Sequence, residues 1–466
     1  MRNRTEKDLL GEKSQIPENA YWGIHTQRAS ENFRVSGISV NSGLIKALAM
    51  VKKAAALANR ELKYIDAKKA DAIISACDWV IQGIDDRSLT GEFPVDALQG
   101  GAGTSTNMNV NEVIANRAIE LLGGRKGDYS LIHPIEDVNL HQSTNDAYPT
   151  ALKIACIYGF RNLSASVEKT QGAFQKKEKE FAGIVKVGRT ELQEAVPITL
   201  GAEFSAFAEA FARDRWRTFK CEERLRVVNI GGTAVGTGLT APRSYIFLVI
   251  EKLREITGLG LARGENLLDA TANPDSFVEV SGILKAHAAN IIKISNDLRL
   301  MNLLGEIGLP KAQAGSSIMP GKVNPVILEA AIQAGTKVIA NDFIVTDACS
   351  KGSLQINEFM PLIAQSMLES LDMLTYVNNM LAPHIEGIKA DAEKCREYLD
   401  KSPAIITAFL PLMGYERAEA LLKEFSSSGK KNLREFLAEK LGKETVEKTL
   451  SPHNLTSLGY KDDKNT

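Results

Sequence analysis

Residues 280–301 read VSGILKAHAANIIKISNDLRLM. Val280, Leu284, His287, Ile291, Ile294, Leu298 and Met301 recur at alternating steps of four and three. That spacing puts one apolar stripe along a long helix and predicts lengthwise packing against other helices. His287 lies on the stripe and is read as a satisfied core histidine rather than a catalytic one. The stretch from Thr150 to Gly183 holds no proline and suits a second long helix opened by Pro149. Leu200, Phe204, Phe207 and Phe211 repeat the same periodicity, and two further long patterns cover roughly 323–345 and 359–382. Strand signals are weak and confined to the first third and a few connections. The fold class is mainly α.

Composition narrows the function classes. The chain has 466 residues, 44% hydrophobic and 24% charged, as in ordinary water-soluble domains. A formal net charge of −1 provides no global field toward nucleic acid or membrane. No apolar run approaches the roughly 20 residues that a membrane helix needs. The N-terminal MRNRTEKDLLGEK is too charged for a secretion signal. The five cysteines, at 77, 156, 221, 349 and 395, are scattered and lack metal-ligand spacing. They read as reduced thiols of a cytoplasmic protein. No cofactor fingerprint and no metal cluster is visible, so neither a cofactor nor a metal is expected. From about 385 onward the pattern changes to short charged helices and ends in the polar tail KDDKNT. The expected division is 1–145 mixed but mostly helical, 146–395 a central bundle of long helices, and 396–466 a small helical C-terminal domain.

The chemistry-bearing stretch is GSSIMPGKVNP, residues 315–325. It imitates a phosphate-binding loop. However, five residues separate Gly315 from Gly321, and Val323 stands where the magnesium-binding hydroxyl belongs. What remains is Ser316, Ser317 and Lys322, with Asn324 as N-cap and Pro325 as first residue of the next helix. Three more clusters follow this plan. Thr104, Ser105 and Thr106 precede a helix ending at Gly123. Ser143, Thr144 and Asn145 precede Pro149. Thr190 and Glu191 lie shortly before the helix after Pro197. Hydroxyls, amides and one lysine at helix starts suit a small, multiply anionic substrate. Simple N-capping explains any one cluster equally well, and spacing alone does not bring the four together.

GSSIMPGKVNP resembles the signature loop of the aspartase/fumarase superfamily. YWGIHTQRASENF (21–33), GGAGTSTNMNVNEVIANRAIELLGG (100–124), QSTNDAYPT (142–150), GRTELQEAVP (188–197), GGTAVGTGL (231–239) and NDLRL (296–300) resemble its other blocks in order. GGAGTS and QSTNDAYPT are nearer the aspartase branch than class II fumarases, which typically show Gly-Ser-Gly-Thr-Gln and Ser-Ser-Asn-Asp. The resemblance implies a three-domain, mainly α subunit whose long-helix bundle is completed in a homotetramer with shared active sites. It implies elimination of ammonia from L-aspartate to give fumarate through an enediolate. Ser316 matches the catalytic base. Thr104, Ser143, Thr144 and Ser317 match the ligands of the carboxylate beside the deprotonated carbon. Lys322 and Asn324 match ligands of the other carboxylate, and Asn145 and Thr190 match contacts to the amino group. Fumarate hydration, or a lyase reaction on another substituted succinate, remains the alternative.

Several positions depart from the family pattern. Glu191 stands where His or Gln is usual, Met360 where Glu or Lys is usual, and Asp137 where His is common. About five residues, including a Ser-Gly-Pro-Arg stretch, are missing from 300–315. Glu329 matches a position that pairs with residue 191. These departures bear on the substrate more than on the reaction type.

Overall fold

A computed structural model describes residues 2–460; Met1 and the tail 461–466 lie outside the described residues. The long helices are Thr144–Glu180, Leu200–Leu225, Asp275–Leu303, Val326–Ser350 and Met360–Glu386. The seam residues Val280, Leu284, His287, Ile291, Ile294, Leu298 and Met301 are all buried. Among the described residues, strands form two-stranded pairs. Among the described residues no helix is long and apolar enough to cross a membrane. The chain divides into two compact units, one of residues 1–163, 217–286 and 337–374, the other of 164–216, 287–336 and 375–466.

In the first unit, helices Ser42–Glu61 and Ala67–Asp85 pack together, and each also contacts a further helix, Arg243–Thr257 and Thr104–Leu121 respectively. Alanines at 47, 49, 54, 55 and 58 line the first of these and keep the backbones close. Helix Thr104–Leu121 is buried nearly all round, although it carries Asn107, Asn109, Asn111, Glu112 and Asn116. Polar groups persist there only because they are hydrogen-bonded. The Glu112 carboxylate accepts from the N–H groups of Gly23, His25 and Thr26 and from the Thr26 hydroxyl. It thereby docks the start of helix Ile24–Asn32.

In the second unit, Phe174 meets Phe204, Phe207 and Phe211 at ring-centroid distances of 6.2, 5.7 and 5.2 Å. Such pairs contribute about 0.5–1.5 kcal/mol each beyond area burial. His287 is a core residue as read from the sequence. Its Nδ1–H donates to Asp214 at 2.9 Å, and its Nε2 accepts from Asn378 at 2.9 Å. Strands Val185–Thr190 and Gln193–Thr199 form a hairpin. Val187 of this hairpin joins the core built by Leu399, Ile405, Phe409, Leu433, Phe436, Leu437 and Val446. The five cysteines carry free thiols.

Candidate active site

Helix Thr144–Glu180 begins earlier than its proline suggested. The Ser143 carbonyl already accepts from Ala147 N–H, so Pro149 lies inside the helix. Pro149 cannot donate to the Asn145 carbonyl. Asn229 Nδ2 fills that vacancy at 2.9 Å. Thr104 likewise is the first residue of its helix rather than a residue before it. Gly103, at φ +93°, precedes it; a Cβ there would lie 2.4 Å from the Tyr148 ring. That close approach brings the two helix starts together. Asn107, one turn into the first helix, donates to Thr144 Oγ1 at 3.2 Å. Thr104, Ser143, Thr144 and Asn145 therefore sit at two adjoining helix N-termini, where the helix dipoles favour an anion.

Beneath these termini lies a buried polar layer. Asp146 accepts from Ser143 N–H at 2.9 Å and from Gly231 and Thr233 N–H at 3.0 and 2.9 Å. It thus ties the Ser143–Asn145 turn to the glycine-rich loop at 231–238. Burial pushes its carboxyl up to about 6 against those N–H groups and Lys52. Lys52, fully buried, donates to Asn139 Oδ1 at 2.7 Å and Gln142 Oε1 at 2.9 Å. Burial pushes its ammonium down to about 7, opposed by the Asp146 charge. Asn145 Nδ2 donates to the Ala234 carbonyl at 2.7 Å, which leaves Oδ1 as the group it can offer a ligand. Thr104 Oγ1 donates to the Gly101 carbonyl at 2.8 Å.

The remaining candidates belong to the second unit. Residues 315–325 form an exposed loop closed on itself. Gly315 N–H donates to the Lys322 carbonyl and Asn324 Nδ2 to the Gly315 carbonyl, both at 2.8 Å. Asn324 is therefore not the N-cap. The helix starts at Val326, and the Pro325 carbonyl accepts the first i+4 bond, from Glu329 N–H. The asparagine amide is used to shut the loop. Ser316 Oγ accepts from the N–H groups of Ile318 at 3.1 Å and Met319 at 2.8 Å. Ser317 and Lys322 are exposed.

Thr190 and Glu191 do not begin a helix. Thr190 ends one strand, and Glu191 and Leu192 form the two-residue hairpin turn, at φ 51° and 62°. Such turns favour Asn-Gly because both positions need positive φ. The first strand of the hairpin is held by a buried charge cluster. Lys186 Nζ lies 2.6 Å from Glu203 and 2.8 Å from Glu306, and Arg189 Nη1 lies 2.6 Å from Glu306. Glu329 finds a cation in Arg299 at 3.9 Å.

The other departures have local explanations. Asp137, in the single π turn Pro134–Val138, accepts from His133 N–H and pairs with Lys69 at 3.0 Å. Met360 is buried at the start of its helix. The shortened segment turns at Gly305 and pairs Ile307–Gly308 with Lys389–Ala390. Lys52, Asn107, Asn139 and Asp146 were not singled out in the sequence. The signal for Asn107 was available: NMNVNEVIAN puts four asparagines inside one helix, where they are unfavourable unless bonded.

The sequence profile described as lyase matches residues 12–340. Aspartate ammonia-lyase of Corynebacterium glutamicum is 45% identical over 462 residues, 97% of this chain and 87% of the relative. Aspartate ammonia-lyase of a Bacillus species is 45% identical over 464 residues, 98% of each chain. The crystal structure of a fumarate lyase:delta crystallin from Brucella melitensis, bound to cobalt, superposes with a TM-score of 0.92. It is 45% identical and covers 98% of this chain and 100% of its own. A class II fumarase from Schistosoma mansoni has a TM-score of 0.88 at 33% identity, covering 97% of this chain and 98% of its own. Fold and sequence together define a lyase. The chain belongs to this lyase family, the aspartase/fumarase superfamily that its motifs resemble.

Proposed function

We propose that this chain is a carbon–nitrogen lyase that converts L-aspartate to fumarate and ammonia. Full-length similarity to aspartate ammonia-lyases supports the overall reaction. The observation that carries the mechanism is the pair of N–H groups on Ser316 Oγ. A serine hydroxyl is too weak a base to take a proton from carbon, and donors aimed at its oxygen stabilise the alkoxide. Ser316 removes the proton from Cβ, and the electron pair moves into the adjacent carboxylate to give an enediolate. Ser143, Thr144 and Ser317 hold that carboxylate with hydrogen bonds that strengthen as its charge grows, and Thr104 joins them once its hydroxyl turns from the Gly101 carbonyl to the ligand. Lys322 and Asn324 hold the other carboxylate. Thr190 and the Oδ1 of Asn145 contact the ammonium, and Glu191 adds a charge that favours it over a neutral hydroxyl. The enediolate then collapses, the Cα–N bond breaks, and ammonia leaves.

The reading includes a cytoplasmic homotetramer of three-domain subunits. The core at 399–450, which Val187 of the hairpin joins, supports a small C-terminal domain. The test follows fumarate formation by the purified chain from aspartate and, separately, from malate. Rapid formation from aspartate with little from malate is expected. The opposite preference would replace the ammonia-lyase with a hydratase.

A further inference from the structure

We propose that Asn107 is a positioning residue: anchored by Lys52 through Asn139, it donates to Thr144 Oγ1 and commits the Thr144 hydroxyl hydrogen to the substrate. The inference rests on the reading that Thr144 binds the substrate carboxylate.

A hydroxyl both donates and accepts, and its usefulness to a carboxylate depends on which way its hydrogen points. In this molecule the direction is set by a chain of hydrogen bonds. The chain starts at Lys52, whose ammonium has donors and no acceptor, and whose neutral amine still keeps two N–H donors for the two oxygens it faces. It therefore faces oxygen atoms, Asn139 Oδ1 at 2.7 Å and Gln142 Oε1 at 2.9 Å. Turning the Asn139 amide over would set its NH₂ against the ammonium. Its Nδ2 donates instead to the Gln142 carbonyl at 3.1 Å. With Asn139 Oδ1 so oriented, Asn107 must present its amide nitrogen, which it does at 3.1 Å, and Asn111 adds a third donor at 3.2 Å. The same Asn107 nitrogen has a second N–H, and it meets Thr144 Oγ1 at 3.2 Å. Thr144 Oγ1 is thus an acceptor on its inner side. Its own hydrogen is left for a partner outside the layer.

Most of the layer is shielded from water. Lys52, Asn107 and Asn111 are each 0–1% exposed and Thr144 is 8% exposed, while Asn139 and Gln142 are half-buried. Reversing one bond in such a network leaves donors or acceptors facing their own kind, which is costly where water cannot intervene. The layer therefore works as more than filler beneath the site. It fixes a donor at the end of helix Thr144–Glu180 before substrate arrives, so no reorganisation is needed as the carboxylate gains charge.

The test is a double-mutant cycle with aspartate as substrate, each variant checked for folding by circular dichroism and melting. Thr144→Val removes the hydroxyl and is expected to lower kcat/KM by roughly 10- to 100-fold. Asn107→Asp places an acceptor against Thr144 Oγ1, captures its hydrogen, and is expected to lower kcat/KM by a similar factor. In the Thr144→Val background Asn107→Asp should cost less than about threefold, because the group it acts through is gone. Asn107→Ala, which only deletes the donor, is the second variant should the aspartate misfold. It should give a smaller loss that also vanishes in the Thr144→Val background. A full loss from either Asn107 variant in the Thr144→Val background would overturn the positioning role while leaving Thr144 as a ligand. A Thr144→Val enzyme with unchanged kcat/KM would overturn the reading of Thr144, and the inference with it.

Discussion

Ser316 Oγ accepts the Met319 N–H at 2.8 Å, within a loop that Asn324 closes through the Gly315 carbonyl. The serine is thus held by its own loop, on an exposed segment rather than in the core. Ser316→Ala should leave melting and assembly unchanged and remove nearly all turnover. Loss of a general base typically lowers rate by roughly 10²–10⁴-fold. A variant that retained a tenth of the wild-type rate would end the assignment of Ser316 as base.

Gly315 carries a second prediction about the same loop. A Cβ at this position would lie 2.7 Å from both Asn324 N and the Lys322 carbonyl oxygen. Neither backbone atom can move without opening the loop. Gly315→Ala should therefore lower kcat by at least about tenfold while the melting temperature changes by only a few degrees. Wild-type kinetics in this variant would show that the loop's closed form is irrelevant to turnover.

Asp146 makes a pH prediction. Its folded-state value, about 6, lies above the 3.8 of an exposed aspartate. A raised carboxyl stabilises the fold fully below the unfolded value and loses that contribution as pH rises through the folded value. The difference corresponds to roughly 3 kcal/mol, given up between about pH 4 and 6. Asp146→Asn does not titrate, so the stability gap between wild type and variant should narrow as pH rises across that window. Activity runs the other way. The ionised carboxylate is the better acceptor for Ser143, Gly231 and Thr233 N–H, so kcat/KM should fall as pH drops through about 6. Urea titrations and pH–rate profiles on both proteins check the two signs. A gap that stayed constant would place the Asp146 carboxyl in its ordinary range.

The long helices were legible because their signal is repetitive. Seven seam residues agree on one stripe, and no single residue has to be read correctly. Their ends were less so. Pro149 was read as a helix opener, whereas a tertiary partner, Asn229, serves the carbonyl that proline leaves free. Asn324 had the composition of a cap and is used by a residue nine positions earlier. The Glu191–Leu192 turn carries no glycine and no asparagine, so nothing local announces a hairpin. The candidate ligand-binding residues are readable as motifs. The layer behind them, Lys52, Asn139 and Asp146, comes from distant parts of the chain and exists only once the helices pack.

Glu191 is where the departure from the family pattern meets backbone strain. It and Leu192 both adopt positive φ, at 51° and 62°, a conformation that costs a non-glycine residue of order 1 kcal/mol or more. The hairpin holds it anyway, because its first strand is tied to the buried Glu306 by Lys186 near the base and Arg189 near the turn. The carboxylate is thus presented on a braced tip. Glu329, which the resemblance pairs with this position, has Arg299 beside it, and on the proposed function Glu191 offers its charge to the ligand. An ammonium is attracted by that charge; a neutral hydroxyl is not. Glu191→Gln should therefore raise KM for aspartate, with any malate activity unchanged or improved. Glu191→Asn with Leu192→Gly separates the two roles, because it relaxes the turn while removing the charge. It should raise the melting temperature and show the same loss on aspartate. If Glu191→Gln slows both substrates equally, the side chain serves the turn alone.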